Sequence, residues 1–173
     1  MKEETMPASK IAIFGPPLAG KATILSAYAR SRGFKMGNGP APFATNKMAP
    51  PCLCSTYKAE GHAQVATYSG VVWSMDDWHP LLKPCDALLV VLDSQATRMD
   101  ANMKYVQFIR EARLNVRACF LFSKSDLPSI LSEKDIRESL GLCDDPFRDW
   151  PSCVSTIEAP DTLLAPFDFL TGD

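Results

Sequence analysis

The sequence predicts an α/β fold, with a mostly parallel central sheet, one antiparallel hairpin strand near the start and helices on both faces. Three observations predict it. An unbroken apolar run at 87–92 and a second at 116–122, interrupted only by Arg117, are what strands buried on both sides of a parallel sheet require. Segments with apolar residues at offsets of three and four stand between such runs, which is the spacing of one helix face. The two kinds of segment alternate over most of the 173 residues, a length that suits a single domain.

Taken in order, 1–9 is a polar leader, and 10–14 (Lys-Ile-Ala-Ile-Phe) is a β-prone run stopped by Gly15. Residues 21–32 read as a helix with Ile24, Leu25 and Tyr28 on one stripe, closed by Gly33. Residues 36–51 hold Gly37, Gly39, Pro40, Pro42, Pro50 and Pro51, and predict a long loop with no core element. Two strands, 52–58 and 63–68, joined at Glu60-Gly61, predict the hairpin. Ser74 and Asp77, three apart, predict a capping box before a short helix bearing Trp78, Leu81 and Leu82. After strand 87–92 comes a helix face of Met99, Met103, Val106 and Ile109, then strand 116–122. Ser132 with Asp135 caps a helix carrying Ile136 and Leu140 and ended by Gly141. A last strand, 152–157, precedes a helical stub, 161–170, interrupted by Pro166.

Composition narrows the function. Eighteen Lys and Arg against twenty Asp and Glu leave a net charge of -2 with no strongly basic window, which argues against a nucleic-acid surface. The apolar run 87–92 is far shorter than the ~20 residues that span a bilayer. Glu3 and Glu4, with no apolar h-region after them, do not make a signal peptide, so a cytoplasmic protein is expected. Cys52, Cys54, Cys85, Cys119, Cys143 and Cys153 offer one C-x-C and no paired C-x-x-C, and His62 and His79 follow no zinc spacing. Reduced thiols and no metal site are expected.

The sharpest motif is Gly15, Gly20 and Lys21, which fit G-x-x-x-x-G-K between a strand and a helix. Backbone N–H groups of such a loop converge on phosphate oxygens, and the following helix points its positive end at them. Lys21 supplies a point charge for the terminal phosphates. The residue after the lysine should carry a hydroxyl for Mg²⁺, but it is Ala22. Thr23 follows, yet one residue along a helix turns a side chain by about 100°. Mg²⁺ binding is therefore expected to be weak or absent, and a loop that keeps its shape while binding no nucleotide is the plain alternative.

Ser123, Lys124, Ser125 and Asp126 follow strand 116–122. A carboxylate there can accept the paired N1–H and 2-amino donors of guanine, while a lysine stem packs along the base. In this order after the phosphate loop, the segment resembles the N/T-K-x-D of Ras-like small GTPases. The chain is similar, closer still, to the bacterial MglA family of gliding-motility GTPases, best in Leu89-Val90-Val91-Leu92-Asp93-Ser94-Gln95 and Arg98-Met99-Asp100-Ala101-Asn102. Thr67, Tyr68, Ser69 and Gly70 match that family's Thr-x-x-Gly.

The resemblance implies a P-loop NTPase fold of Ras-like type, a single G domain, with GTP or GDP as ligand. It implies a nucleotide-binding set of Gly15, Leu18, Ala19, Gly20, Lys21, Ala22 and Thr23, then Gly70 for a γ-phosphate, Ser123, Lys124 and Asp126 for the base, and Ser155 in the last loop. It makes 36–51 switch I and 71–80 switch II, and implies protein effectors or a Roadblock-type regulator as partners. Val71 stands where the family has a water-orienting Gln, and no Arg occurs between Arg32 and Arg98 to serve as its catalytic arginine. Such arginines are worth ~10³–10⁵ in rate, so weak or no hydrolysis, no catalytic residue and no metal ligand are expected. The output is then a regulatory switch or scaffold.

Two alternatives stand beside this: an interaction module of the same fold without nucleotide, and a P-loop kinase. The kinase needs lid arginines, and 123–148 holds only Arg137 and Arg148. Asp93 reads as a loop cap in preference to a metal-binding aspartate. Trp73 and Trp78 suit either core or a partner interface, Trp150 reads as core or a half-buried anchor, and His79 reads as surface.

Overall fold

The computed structural model describes residues 10–33, 37–39, 53–57, 64–69, 78–79 and 82–171. The described strands are β1 (Lys10–Phe14), β2 (Gly37–Gly39), β3 (Leu53–Tyr57), β4 (Gln64–Ser69), β5 (Ala87–Asp93), β6 (Arg117–Ser123) and β7 (Ser152–Val154). The helices whose bounds are described are α1 (Lys21–Ser31), α2 (Met99–Ala112), α3 (Glu133–Ser139) and α4 (Ala165–Thr171), with 3₁₀ turns at Ala96–Arg98 and Pro160–Leu163. One sheet runs in the order β2-β3-β4-β1-β5-β6-β7.

Its body, β4-β1-β5-β6-β7, is parallel throughout. The exception differs from the single hairpin that the turn signals predict. β3 is antiparallel to both β4 and β2, so two antiparallel pairings extend one edge, and the joining residues 58–63 lie outside the described ones. Gly37–Gly39 is itself a strand, within a segment expected to be loop throughout. Two glycines weaken but do not forbid pairing at an edge, where the ladder and not side-chain packing holds the strand.

The centre of the parallel body exists because β1, β5 and β6 are apolar on both faces. All seven residues of β5 are buried. Successive side chains of a strand alternate, and the core divides accordingly. Ile11, Ile13, Leu89, Val91 and Leu121 join Ile24, Leu25 and Tyr28 of α1 and Phe167 and Leu170 of α4 on one face. Ala12, Phe14, Val90, Leu92, Phe120 and Phe122 join Val106 and Ile109 of α2 and Ile136 of α3 on the other. Each fully buried Leu, Ile, Val or Phe contributes ~1.5–3 kcal/mol.

α2 buries Asn102, Tyr105 and Phe108 besides Val106 and Ile109, while Met99 and Met103 are half-buried at its margin. Ser132 caps α3 as its spacing predicts, its Oγ accepting from the N–H of Asp135 at 3.2 Å. β7 ends at Val154, three residues before the expected strand end, because 155–157 turns into a loop beside the sheet edge. Pro166 does not interrupt the last helix. It sits in the first turn of α4, where a missing N–H costs nothing. No helix among the described residues is long and apolar enough to cross a membrane. The capping box at Ser74 and Asp77 lies outside the described residues.

Candidate functional site

The loop 15–20 leaves the carboxyl end of β1, the central strand, at the edge where open α/β sheets bind ligands. Gly15 has φ 149°, and a Cβ there would lie 2.0 Å from the carbonyl oxygen of Val91, so only glycine lets β1 pass β5 at this point. Leu18 at φ 66° and Gly20 at φ 90° turn the chain back into α1. The Ala19 N–H bonds Pro16 O at 3.3 Å, and the first helical bond is Ile24 N–H to Gly20 O at 3.0 Å. The N–H groups of Leu18, Gly20, Lys21, Ala22 and Thr23 meet no acceptor among the described residues. They are orphan donors of a helix start, gathered around one loop.

Lys21 folds its amine into this loop and is only 6% exposed. Its Nζ donates to Gly15 O at 2.8 Å and Pro16 O at 2.7 Å. An ammonium carries three donors, so one remains for an anion. Burial lowers its pKa to about 8, because the charged form loses water. The cavity in front of the loop holds about 420 Å³ and is lined by Lys21, Ala22 and Thr23 on one side and Thr67, Trp78 and Tyr105 on the other. Trp78 is buried, meeting Phe14 edge-to-face at 5.1 Å, which is the core placement of the two that its sequence context allowed. Trp150 is half-buried against Phe147, and His79 is exposed.

A second cavity of about 240 Å³ adjoins the first, and Gly20 and Thr23 line both. Its walls are apolar, from Ile24, Leu127, Ile157 and Leu163, and Asp126 lies among its polar lining. The loop after β6 builds this side. Ser123 Oγ donates to Ala19 O at 2.9 Å, fastening the loop after β6 to the loop after β1. The N–H and Oγ of Ser125 both bond Ser155 O, at 3.2 and 3.1 Å. Asp126 Oδ1 accepts from Thr156 Oγ1 at 2.8 Å, and its other oxygen meets no donor among the described residues. Ser155 Oγ is buried against this cavity with no partner among the described residues.

The structure thus brings together Gly15, Leu18, Ala19, Gly20, Lys21, Ala22, Thr23, Ser123, Lys124, Asp126 and Ser155. Gly70 and Val71 lie outside the described residues, as does most of 36–51 and 71–80.

Four residues outside the expected binding set also belong here. Thr156 orients Asp126. Asp93 caps its loop as expected, Oδ1 accepting the Gln95 N–H at 3.0 Å, but Oδ2 also takes Lys124 Nζ at 2.7 Å. Arg98 Nη2 donates to Pro17 O at 2.8 Å. Asn102 bonds both backbone groups of Asp93. Asp93 was marked as a carboxylate ending a buried strand, while the only signal for Arg98 and Asn102 was their position in the stretch 89–102, where the resemblance is best.

Among the described residues, the Ala22 side chain offers no oxygen to Mg²⁺, no carboxylate lines the cavity beside Lys21, and no group of three His, Cys, Asp or Glu could hold a metal. Nor does the region suit a kinase lid. Arg137 spends its guanidinium on Trp150 O, Leu142 O and Ser152 Oγ, within the fold. Cys85 and Cys119 are buried, and desolvation raises the pKa of both thiols, the former to about 12. They are inert core residues. No protein-family model matches the chain, and no curated protein matches it.

Proposed function

We propose that this chain is a P-loop domain of Ras-like, MglA-like type that binds a guanine nucleotide, and that it acts as a regulatory switch or scaffold for protein partners with weak or no hydrolysis. One observation carries the reading: two adjoining cavities share Gly20 and Thr23, the first framed by orphan N–H groups and Lys21, the second apolar with Asp126 in its lining. A nucleoside diphosphate has that order of parts, with anionic phosphates, a sugar and a flat apolar-faced base. The open carboxylate oxygen of Asp126, with Oδ1 beside it, suits the adjacent N1–H and 2-amino donors of guanine. Adenine presents no such pair, so GTP and GDP are the ligands this chemistry favours.

Among the described residues, Lys21 and the loop dipoles are the positive groups beside the first cavity, and so little positive charge suits a diphosphate better than a triphosphate. Without a Mg²⁺ ligand, a water-orienting Gln or a switch arginine, turnover is not the output. Protein effectors or a Roadblock-type regulator are partners suggested by the resemblance alone.

Isothermal titration of the purified chain with GDP, GTP and ATP, each with Mg²⁺ and with EDTA, tests the reading. Heat with GDP and GTP, little with ATP, and less than roughly threefold change on chelation are expected, since the metal ligands are missing. No heat in any arm removes the nucleotide reading. It leaves the interaction module without nucleotide, a reading favoured by the Lys21 amine already bonding its own loop.

A further inference from the structure

The two halves of the site are joined by a group that neither half contains. Asp93 ends β5 with 0% of its surface exposed, and a carboxylate so buried persists only if it is paired. Its Oδ2 lies 2.7 Å from Lys124 Nζ and 3.8 Å from Arg98 Nε. Lys124 lines the second cavity, and Arg98 reaches the other way to Pro17 O on the first loop. The carboxylate itself cannot drift. Gln95 N–H holds Oδ1, while Asn102 Oδ1 accepts the Asp93 N–H at 3.2 Å and Asn102 Nδ2 donates to the Asp93 carbonyl at 2.8 Å. Lys124 needs such an anchor, for it sits at φ 62°, a left-handed conformation that a long side chain does not adopt by preference.

We propose that Asp93 is a positioning residue which, through Lys124 and Arg98, holds the base-side loop and the phosphate-side loop in one arrangement, so that ligand in either cavity tightens the other. This deepens the nucleotide reading and rests on it for the ligand, but the mechanical coupling exists in the free chain. An exposed ion pair would not do this, because water and side-chain freedom cancel most of its worth. Here the shared acceptor is fully desolvated, so breaking either contact weakens the compensation of a buried charge.

Hydrogen exchange of the ligand-free full chain, read by mass spectrometry over 16–22 and 123–127, tests the coupling. D93N keeps the oxygen that accepts Gln95 N–H and removes the charge. It is expected to speed exchange roughly tenfold in both segments while 133–139 stays at the wild-type rate. R98M is expected to loosen 16–22 alone and K124M 123–127 alone, with K124R restoring protection. Should D93N fail to fold, R98M and K124M decide the matter. The proposal falls if each leaves its own segment at the wild-type rate, or if D93N loosens 133–139 as much as the two loops.

GDP titration supplies a second readout. Adding D93N to R98M/K124M is expected to weaken binding no further, whereas an additive loss overturns the coupling. Absence of GDP binding by the wild-type chain removes the nucleotide reading, while the exchange comparison still decides the role of Asp93.

Discussion

Replacing Gly15 by alanine tests whether the first loop is shaped by one close backbone contact. The added Cβ would stand 2.0 Å from Val91 O, against the 3.0 Å below which real Cβ contacts essentially do not occur, so β1 and β5 must part by about 1 Å or the loop must move. The obstacle is a carbonyl in the middle of the parallel ladder, and no rotamer change relieves it. Two costs combine: a residue forced to φ 149° costs ~1–3 kcal/mol, and overpacking in a tight core costs ~1–3 kcal/mol. In a domain of this size 1 kcal/mol shifts Tm by ~2–4 °C, so G15A should melt roughly 5–20 °C below wild type. The control is G20A, whose Cβ would meet nothing within 4 Å and which has only its φ of 90° to pay for. Its cost is ~1–2 kcal/mol. Scanning calorimetry on the three ligand-free proteins gives the comparison. A G15A midpoint equal to or above that of G20A would refute the claim that Val91 O dictates glycine at position 15.

Lys21 makes the site pH-sensitive. Its ammonium titrates near 8 in the folded chain against 10.5 in the unfolded one, so the unfolded state holds more protons between those values and stability should rise with pH there. Anion binding has the opposite sign: GDP affinity should hold to about pH 8 and then weaken by up to roughly tenfold per unit, a slope that K21M abolishes in titration calorimetry. Ala22→Ser restores an oxygen at the second residue of α1, and GDP should then bind roughly tenfold more tightly in Mg²⁺ than in EDTA. No difference between the two conditions would count against the reading of position 22. Ser123→Ala leaves Ala19 O without its 2.9 Å donor and should cost ~1–2 kcal/mol, measured by urea unfolding, with weaker GDP binding as the two loops separate.

Much of this molecule was legible in order along the chain. The runs behind β1, β5 and β6, the Ser132 cap, and the Gly15, Gly20, Lys21 loop all follow from signals a few residues long: periodicity, turn chemistry and glycine spacing. The edge at β2 was not legible, because Gly37–Gly39 has no pattern of its own and becomes a strand only by pairing with β3. Trp78 could be read as core or as surface until Phe14 was placed against it. The break between β7 and the loop at 155–157 likewise depends on where Ser155 and Thr156 meet Ser125 and Asp126.

By itself the sequence determined which residues can serve: a lysine behind a glycine loop, a carboxylate after a buried strand, an alanine where a hydroxyl was wanted. Tertiary structure alone decided which of them meet. The parallel register sets Asp93 beside Ser123, which brings Lys124 to a carboxylate 31 positions away, and the same packing lays Arg98 on Pro17, 81 positions away. Short-range preferences are written into neighbouring residues. Contacts across a sheet depend on strand order and register, which the whole apolar core selects at once.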